Sequence, residues 1–310
     1  MIKIDLITGF LGSGKTTFIK KYAHYLLREG YKIGIIENDY GAVNVDMMLL
    51  QDMMGEKCDL EMISGGCDQE THRRRFKTKL ISMGMLGYDR ILIEPSGIYD
   101  VDEFFDVLYE EPLNQWYEIG NVMTIVNAKR EDYFSQESSY LLASQVAHAG
   151  CIIFSKSQDA SYEDIQKTIS NINQSLQTIQ CQRQIKDEVI SKNWEDFTEK
   201  DFEMISSCGY RNESYIKHFH DYSFQTLYFM NNHINKDNLK KIINYIMNDS
   251  SCGQVFRIKG FIQVSQGEWI EMNATHNHIC IQPIKVGQEI IIVIGENLNE
   301  ERIKEYLHNK

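Results

Sequence analysis

Positive charge is scarce in this sequence: 32 Lys and Arg stand against 44 Asp and Glu in 310 residues, a formal net charge of -12. Such a surface repels phosphodiester backbones and anionic lipid, which argues against nucleic-acid and membrane partners, so any anion must be gripped by a local device. Long apolar runs are missing too: stretches such as Ile290 to Ile294 fall far short of the roughly 20 residues that span a bilayer. The opening MIKIDLITGF has no basic stretch, long apolar core or small-residue cleavage site, so no secretory leader is expected. The seven cysteines are odd in number and form no C-x-x-C pair. That is the usage of a reducing compartment, and a cytoplasmic protein is expected. No internal repeat, low-complexity tract or histidine-rich tail occurs either.

What is present points to a folded enzyme-sized chain. Hydrophobic residues make up 43% of it, which excludes a mainly disordered state. A chain of this length can bury roughly three quarters of its unfolded surface, so folding needs no disulfide or metal staple. A β-rich run at 2 to 8 leads into a glycine-dense loop. Phe18, Ile19, Tyr22, Tyr25 and Leu26 then recur at helical spacing, one apolar stripe on a helix that Gly30 caps. Lys32 to Glu37 is the next short apolar run. Strand, loop, helix, strand implies parallel strands and a right-handed crossover. Arg90 to Glu94, Val122 to Val126 and Cys151 to Phe154 read as further buried strands, with helical patterns near 102–109, 138–149 and 161–176.

The expected architecture is therefore α/β, a doubly wound, mostly parallel sheet over residues 1–180. Residues 181–220 turn polar without clean periodicity and are expected to form a helical connector. Over 221–310 the pattern is strand (224–230), helix (238–247), strands at 255–264, 268–272, 279–283 and 290–294, and a final helix (299–307). Strands in immediate succession imply antiparallel pairing in a small α+β domain.

The loop after the first strand is Gly9-Phe10-Leu11-Gly12-Ser13-Gly14-Lys15-Thr16, a complete G-x-x-x-x-G-K-[ST]. Glycines let backbone N–H groups curl round phosphate oxygens, and the helix N-terminus adds positive partial charge. Lys15 is expected to reach the β- and γ-phosphates and the Thr16 hydroxyl to ligate Mg²⁺, with Thr17 next in the binding run. Glu94 ends the strand RILIE and supplies the acid that orients Mg²⁺ in such sites, and Gly97 can offer a backbone N–H to the γ-phosphate.

These motifs, together with Glu37-Asn38-Asp39-Tyr40-Gly41, Asp46, Val126-Asn127-Ala128, Arg257-Ile258-Lys259-Gly260-Phe261 and the closing run IIIVIGENLNEERIKEYL, follow the order and spacing of one family. The chain resembles the CobW/UreG/HypB family of P-loop GTPases, most of all its CobW-type branch, over nearly its whole length. That resemblance implies a GTP-hydrolysing protein, with Mg²⁺, that delivers metal or helps assemble a metal-bearing cofactor or enzyme. Its partner would be a client metalloenzyme or cofactor-assembly protein. By position, Glu37 to Asp46 would form the first switch region and Glu94 to Gly97 the second. Glu37 and Asp39 are the candidates for positioning the attacking water, while Lys15 and the metal stabilise developing charge. Asp39 replaces the family's commoner Glu, and Tyr40 its Phe; both changes keep the chemistry.

The chain also departs from the family. A Gly-Cys-x-Cys-Cys thiolate cluster, suited to soft metals, is represented here by Ser64-Gly65-Gly66-Cys67-Asp68. One thiolate cannot make a tight tetrahedral site, so a transition metal (zinc, cobalt or nickel) would depend on Glu37 and Cys67, with His72. The pairs His218/His220 and His276/His278 each put two imidazoles on one face of a strand. Where such GTPases read guanine with Asn-Lys-x-Asp, this chain has Ser155-Lys156-Ser157-Gln158, with Asp159 one place late. A glutamine amide has one acceptor oxygen and a donor NH₂, so it cannot accept both guanine hydrogens as aspartate does. Lys156 and Gln158 are the candidate base contacts, and ATP becomes admissible beside GTP. Arg73, Arg74 and Arg75 point roughly 100° apart on a helix, a solvated or partner-facing surface.

Two functions follow. One is a slow Mg²⁺-dependent nucleoside triphosphatase that acts as a metallochaperone or assembly factor. The other is a nucleotide-gated protein-binding switch, using ATP or GTP, that no longer carries metal. A small-molecule kinase would need an arginine-bearing lid, and no segment supplies one.

Overall fold

In the computed structural model the described residues are 1–39, 50–64, 69–99, 101–129, 135–186, 188–217, 224–230, 234, 236–265, 267–276, 278–284, 287 and 289–308. The chain divides into two units, Met1–His218 and Phe219–Lys310. No helix among the described residues is long and apolar enough to cross a membrane.

The first unit runs β1 (Ile2–Thr8), α1 (Lys15–Arg28), β2 (Ile33–Asp39), β3 (Cys58–Ser64), α2 (Gln69–Gly84), β4 (Arg90–Pro95), α3 (Val101–Leu108), α4 (Leu113–Trp116), β5 (Tyr117–Asn127), α5 (Gln136–Ala147), β6 (Cys151–Ser155), α6 (Tyr162–Thr178), β7 (Val189–Ile190) and α7 (Glu199–Ile205). Its seven strands are all parallel, in the order β3-β2-β4-β1-β5-β6-β7. The expected doubly wound sheet is present. Apolar side chains cover both faces. Ile7, Ile33, Ile35, Leu92 and Ile125 pack with α1 and α7 through Phe18, Leu26, Phe202 and Ile205. Ile4, Leu6, Ile36, Ile91 and Ile93 pack with α2 and α3 through Phe76, Leu80 and Phe104.

One feature of the strand order positions the site. β4 lies between β1 and β2, so the end of β4 stands beside the loop that leaves β1, at the C-terminal edge of the sheet where α/β proteins bind ligands.

Two elements differ from expectation. β3 went unread because CDLEMIS puts Asp59 and Glu61 among its apolar residues, the pattern of an edge strand. Residues 181–217 are not a helical connector: they fold onto the first unit. The Arg183 guanidinium donates to the carbonyls of Val146 and Ala149, both at 2.6 Å. β7 extends the sheet and α7 buries Phe202 and Ile205. Arg211 and His148 exchange backbone and ring hydrogen bonds (2.9 and 3.1 Å), and Tyr215 donates to Asp102 at 2.8 Å. Elements of two and seven residues are too short to show periodicity, which is why this stretch looked featureless.

The second unit contains β8 (Phe224–Met230), α8 (Lys236–Asn248), β9 (Gln254–Ser265), β10 (Glu268–Thr275), β11 (His278–Ile284), β12 (Ile290–Glu296) and α9 (Glu300–His308). Its antiparallel sheet has the order β11-β10-β9-β12-β8. Leu239, Ile243, Ile246, Ile303 and Leu307 from the helices pack on Val255, Ile258, Met272, Ile291 and Val293, giving the expected small α+β fold.

Candidate nucleotide site

The loop from Gly9 to Gly14 is shaped by conformations that only glycine adopts cheaply. Gly9 has φ +148°, Gly12 +72° and Gly14 +98°. A Cβ on Gly9 would stand 2.3 Å from the Ile125 carbonyl oxygen and 2.7 Å from Ser13 Oγ. A side chain on Gly9 thus has no room. Ser13 Oγ is buried there and makes no hydrogen bond. Gly14 caps α1 without a side-chain hydrogen bond, leaving the first-turn amides turned toward the loop. An oxyanion is the ligand such a cradle suits.

Lys15 is only 6% exposed, and its ammonium donates to the Gly9 carbonyl at 3.0 Å. The loop is therefore closed around its own cation. Thr16 Oγ1 donates to Glu94 Oε1 at 2.8 Å, and Glu94 is buried at the end of β4. On β2, Glu37 sits in register with Glu94 and is 2% exposed, so two buried carboxylates share the sheet face that meets α1. Gly97 follows closely: a Cβ there would be 2.7 Å from the Leu11 nitrogen. Its carbonyl accepts from Gln145 Nε2 at 3.4 Å. Thr17 is exposed on the first turn of α1, and the backbone of Asp39 ends β2.

Oxygen donors of this kind fit a hard divalent cation. A hydroxyl and a carboxylate held within one hydrogen bond of each other, at the mouth of a phosphate cradle, match the few protein ligands Mg²⁺ takes. The donor set lacks sulfur and imidazole, which a soft metal would prefer.

Beyond β6, Lys156 adopts φ +54° and opens a short 3₁₀ turn, Ser157–Asp159. Gln158 and Asp159 are exposed, and the Gln158 amide donates to Asp159 Oδ2 at 3.3 Å. Trp194 belongs to this region. Its indole N–H donates to the Phe154 carbonyl at 2.9 Å, and its ring lies 3.3 Å from where a Gly14 Cβ would be. The signal for it was weak, a lone tryptophan four residues after a two-residue strand.

Among the described residues the other candidate ligands do not gather. Cys67 lies outside the described residues, as do Tyr40, Asp46, Asp68, His218 and His220. His72 is fully buried on α2, with Nδ1 4.0 Å from Glu103 Oε1. His276 is in the turn after β10 and bonds the Val255 carbonyl at 2.8 Å, while His278 begins β11; they do not share one strand. Among the described residues no group of three or more His, Cys, Asp or Glu converges as a metal ion requires. Arg73 pairs with Glu110, which Lys77 also reaches.

The family CobW/HypB/UreG, nucleotide-binding domain, matches residues 3–186, and the cobalamin synthesis protein cobW C-terminal domain matches residues 227–309. The zinc chaperone YjiA of Escherichia coli (strain K12) is 31% identical over 183 residues, 56% of this chain and 55% of that protein. The zinc-regulated GTPase metalloprotein activator 1 of Schizosaccharomyces pombe is 25% identical over 186 residues, 58% and 44% respectively. The zinc chaperone YeiR of E. coli is 30% identical over 169 residues, 54% and 50%. The chain spans about half the length of these curated relatives.

Proposed function

The chain belongs to the CobW/HypB/UreG family, and from that premise we propose that it is a Mg²⁺-dependent GTPase acting as a metallochaperone or activation factor for a client metalloprotein. The observation that carries the reading is the meeting of Thr16 and Glu94 at the mouth of the glycine cradle. The names of the relatives, zinc chaperones and a GTPase metalloprotein activator, support the same reading.

In this scheme residues 1–180 bind and hydrolyse the nucleotide and residues 221–310 face the client. The amides of Gly9 to Thr16, with Thr17, hold the phosphates. Lys15 exchanges the Gly9 carbonyl for the β- and γ-phosphates and stabilises charge as the γ-phosphoryl group transfers to water. Thr16 and Glu94 would hold Mg²⁺, which when bound neutralises charge on the phosphate oxygens. Glu37 or Asp39 orients the attacking water, and the Gly97 amide senses the γ-phosphate. Lys156 and Gln158 meet the base. No arginine occurs in the motifs that build the cradle, so unassisted turnover is slow. Competition between GTP and ATP for the protein, followed by phosphate release with and without Mg²⁺, tests this. Lys15→Ala is expected to abolish triphosphate uptake; undiminished uptake would sink the reading.

A second reading, a nucleotide-gated protein-binding switch that carries no metal, is favoured by the single Cys67 where the family has a thiolate cluster. Titration with Zn²⁺, Co²⁺ or Ni²⁺, with and without nucleotide, separates the two. Binding tighter than about micromolar supports metal delivery, and its absence supports the second reading.

A further inference from the structure

We propose that Trp194 forms the nucleoside-side wall of the phosphate cradle, and that its ring, rather than hydrogen bonds to the base edge, supplies most of the grip on the sugar and base. The proposal rests on the nucleotide-binding reading above and deepens it.

Three contacts fix the indole. Its N–H donates to the Phe154 carbonyl at 2.9 Å, next to the last residue of β6. Its ring meets Phe18 of α1 edge-on, with centroids 5.6 Å apart at 65°. Its Cη2 lies 3.3 Å, and Cζ3 3.5 Å, from the Cβ position of Gly14, while Ser155 Cβ lies 3.8 Å from that same position. The ring thus joins the final glycine of the cradle, the first turns of α1 and the strand end that leads into Lys156. With Lys156 and Gln158 meeting the base, as proposed above, the nucleoside of a triphosphate seated on the loop runs toward that strand end, and Trp194, close to Gly14, borders that path. Trp194 is half-buried.

The chemistry follows from what surrounds it. The indole N–H is already committed to Phe154, so the ring offers a passing nucleoside apolar and π surface and no donor. Gln158 and Asp159, at the base-reading position, are exposed and bonded to each other. A site that holds its ligand by an aromatic wall discriminates poorly among bases, because each has a π-face. Nucleoside triphosphates as a class, GTP and ATP alike, are the ligands it takes. With Phe18 and the Phe154 carbonyl locking the indole, little side-chain freedom is lost on binding.

The full-length protein, titrated calorimetrically with GTP, ATP and inorganic tripolyphosphate in the presence of Mg²⁺ while tryptophan emission is followed, tests this. GTP and ATP are expected to bind within about tenfold of each other and to change the emission, and Trp194→Phe to keep the binding and lose the change. Trp194→Ala is expected to weaken both nucleotides about tenfold or more and to leave tripolyphosphate within about twofold. Equal weakening of tripolyphosphate would overturn the proposal, since the ring would then merely shape the loop. So would nucleotide affinities that ignore Trp194, or a preference for GTP above about a hundredfold. If the wild type takes up neither nucleotide nor tripolyphosphate, the nucleotide-binding reading itself fails; uptake of all three without regard to Trp194 defeats only this proposal.

Discussion

Thr16 Oγ1 donates to Glu94 Oε1 at 2.8 Å, joining the first turn of α1 to the end of β4 across 78 residues of sequence. The contact exists because β4 is inserted beside β1, and it sets a hydroxyl and a carboxylate oxygen side by side. Glu94→Gln keeps the shape and removes the charge. Its Mg²⁺-dependent hydrolysis is expected to fall about a hundredfold or more, while triphosphate binding without Mg²⁺ stays near that of the wild type. Phosphate-release assays at several Mg²⁺ concentrations check this, and a variant rescued by excess Mg²⁺ to full rate would show that Glu94 acts on affinity alone.

Two glycines of positive φ should respond very differently to alanine. Gly30 has φ +92° with nothing within 4 Å of its Cβ position, whereas Gly9 has φ +148° and would drive a Cβ to 2.3 Å from a backbone carbonyl. Gly30→Ala carries conformational strain only, about 1 kcal/mol. Gly9→Ala adds a clash that only backbone movement relieves, so a loss of about 3 kcal/mol or more is expected, along with loss of triphosphate binding. Urea denaturation of both variants measures the difference; equal losses would mean that the β5 carbonyl yields freely.

The cradle was legible because its residues are consecutive and their chemistry is local. Glu94 was legible through its place at the end of an apolar strand. Trp194 was not, since the strand before it has two residues and the contact with Gly14 spans most of the first unit. The fold of 181–217 was hidden for the same reason: Arg183 is anchored by carbonyls of residues 146 and 149, partners no periodicity reveals. The register that sets Glu37 beside Glu94 depends on which strand enters between β1 and β2, and the order of elements along the chain does not fix that.

A buried ion pair lies in the middle of the sheet. Asp5 is fully buried and accepts from Arg90 at 2.7 Å, Tyr22 at 2.9 Å and the Asn121 backbone and side chain at 2.9 and 3.0 Å. Gly120 makes room for it, because a Cβ there would be 2.4 Å from Asp5 Oδ1. Asp5→Ala leaves the buried Arg90 guanidinium without its carboxylate, beside only the neutral Tyr22 hydroxyl and Ser206 carbonyl, and a loss of about 3–5 kcal/mol is expected. Asp5→Leu combined with Arg90→Met removes both charges and should cost less than the two single changes summed. Denaturation of the four proteins gives the coupling; simple additivity would mean that water reaches the pair.

Asp102, at the start of α3, clasps the segment that ends the first unit. Burial alone would raise its pKa. Hydrogen bonds from His148 at 3.3 Å, Lys217 at 2.9 Å and Tyr215 at 2.8 Å outweigh that and hold it at about 2. A carboxyl whose folded pKa lies below its unfolded value near 3.9 stabilises the fold fully above about pH 4, and that contribution disappears as the pH falls through about 2. Partial solvent access screens the contacts, so about 1–2 kcal/mol is the expected size. Asp102→Asn should therefore lower stability by that amount at pH 7, and the gap between variant and wild type should narrow below pH 4. Hydrogen exchange of residues 210–217 should quicken in the variant at neutral pH, because the acceptor that Tyr215 and Lys217 share loses its charge. A gap that stays constant down to pH 2.5 would place the stabilisation in packing against Phe105 and His148, and not in the charge.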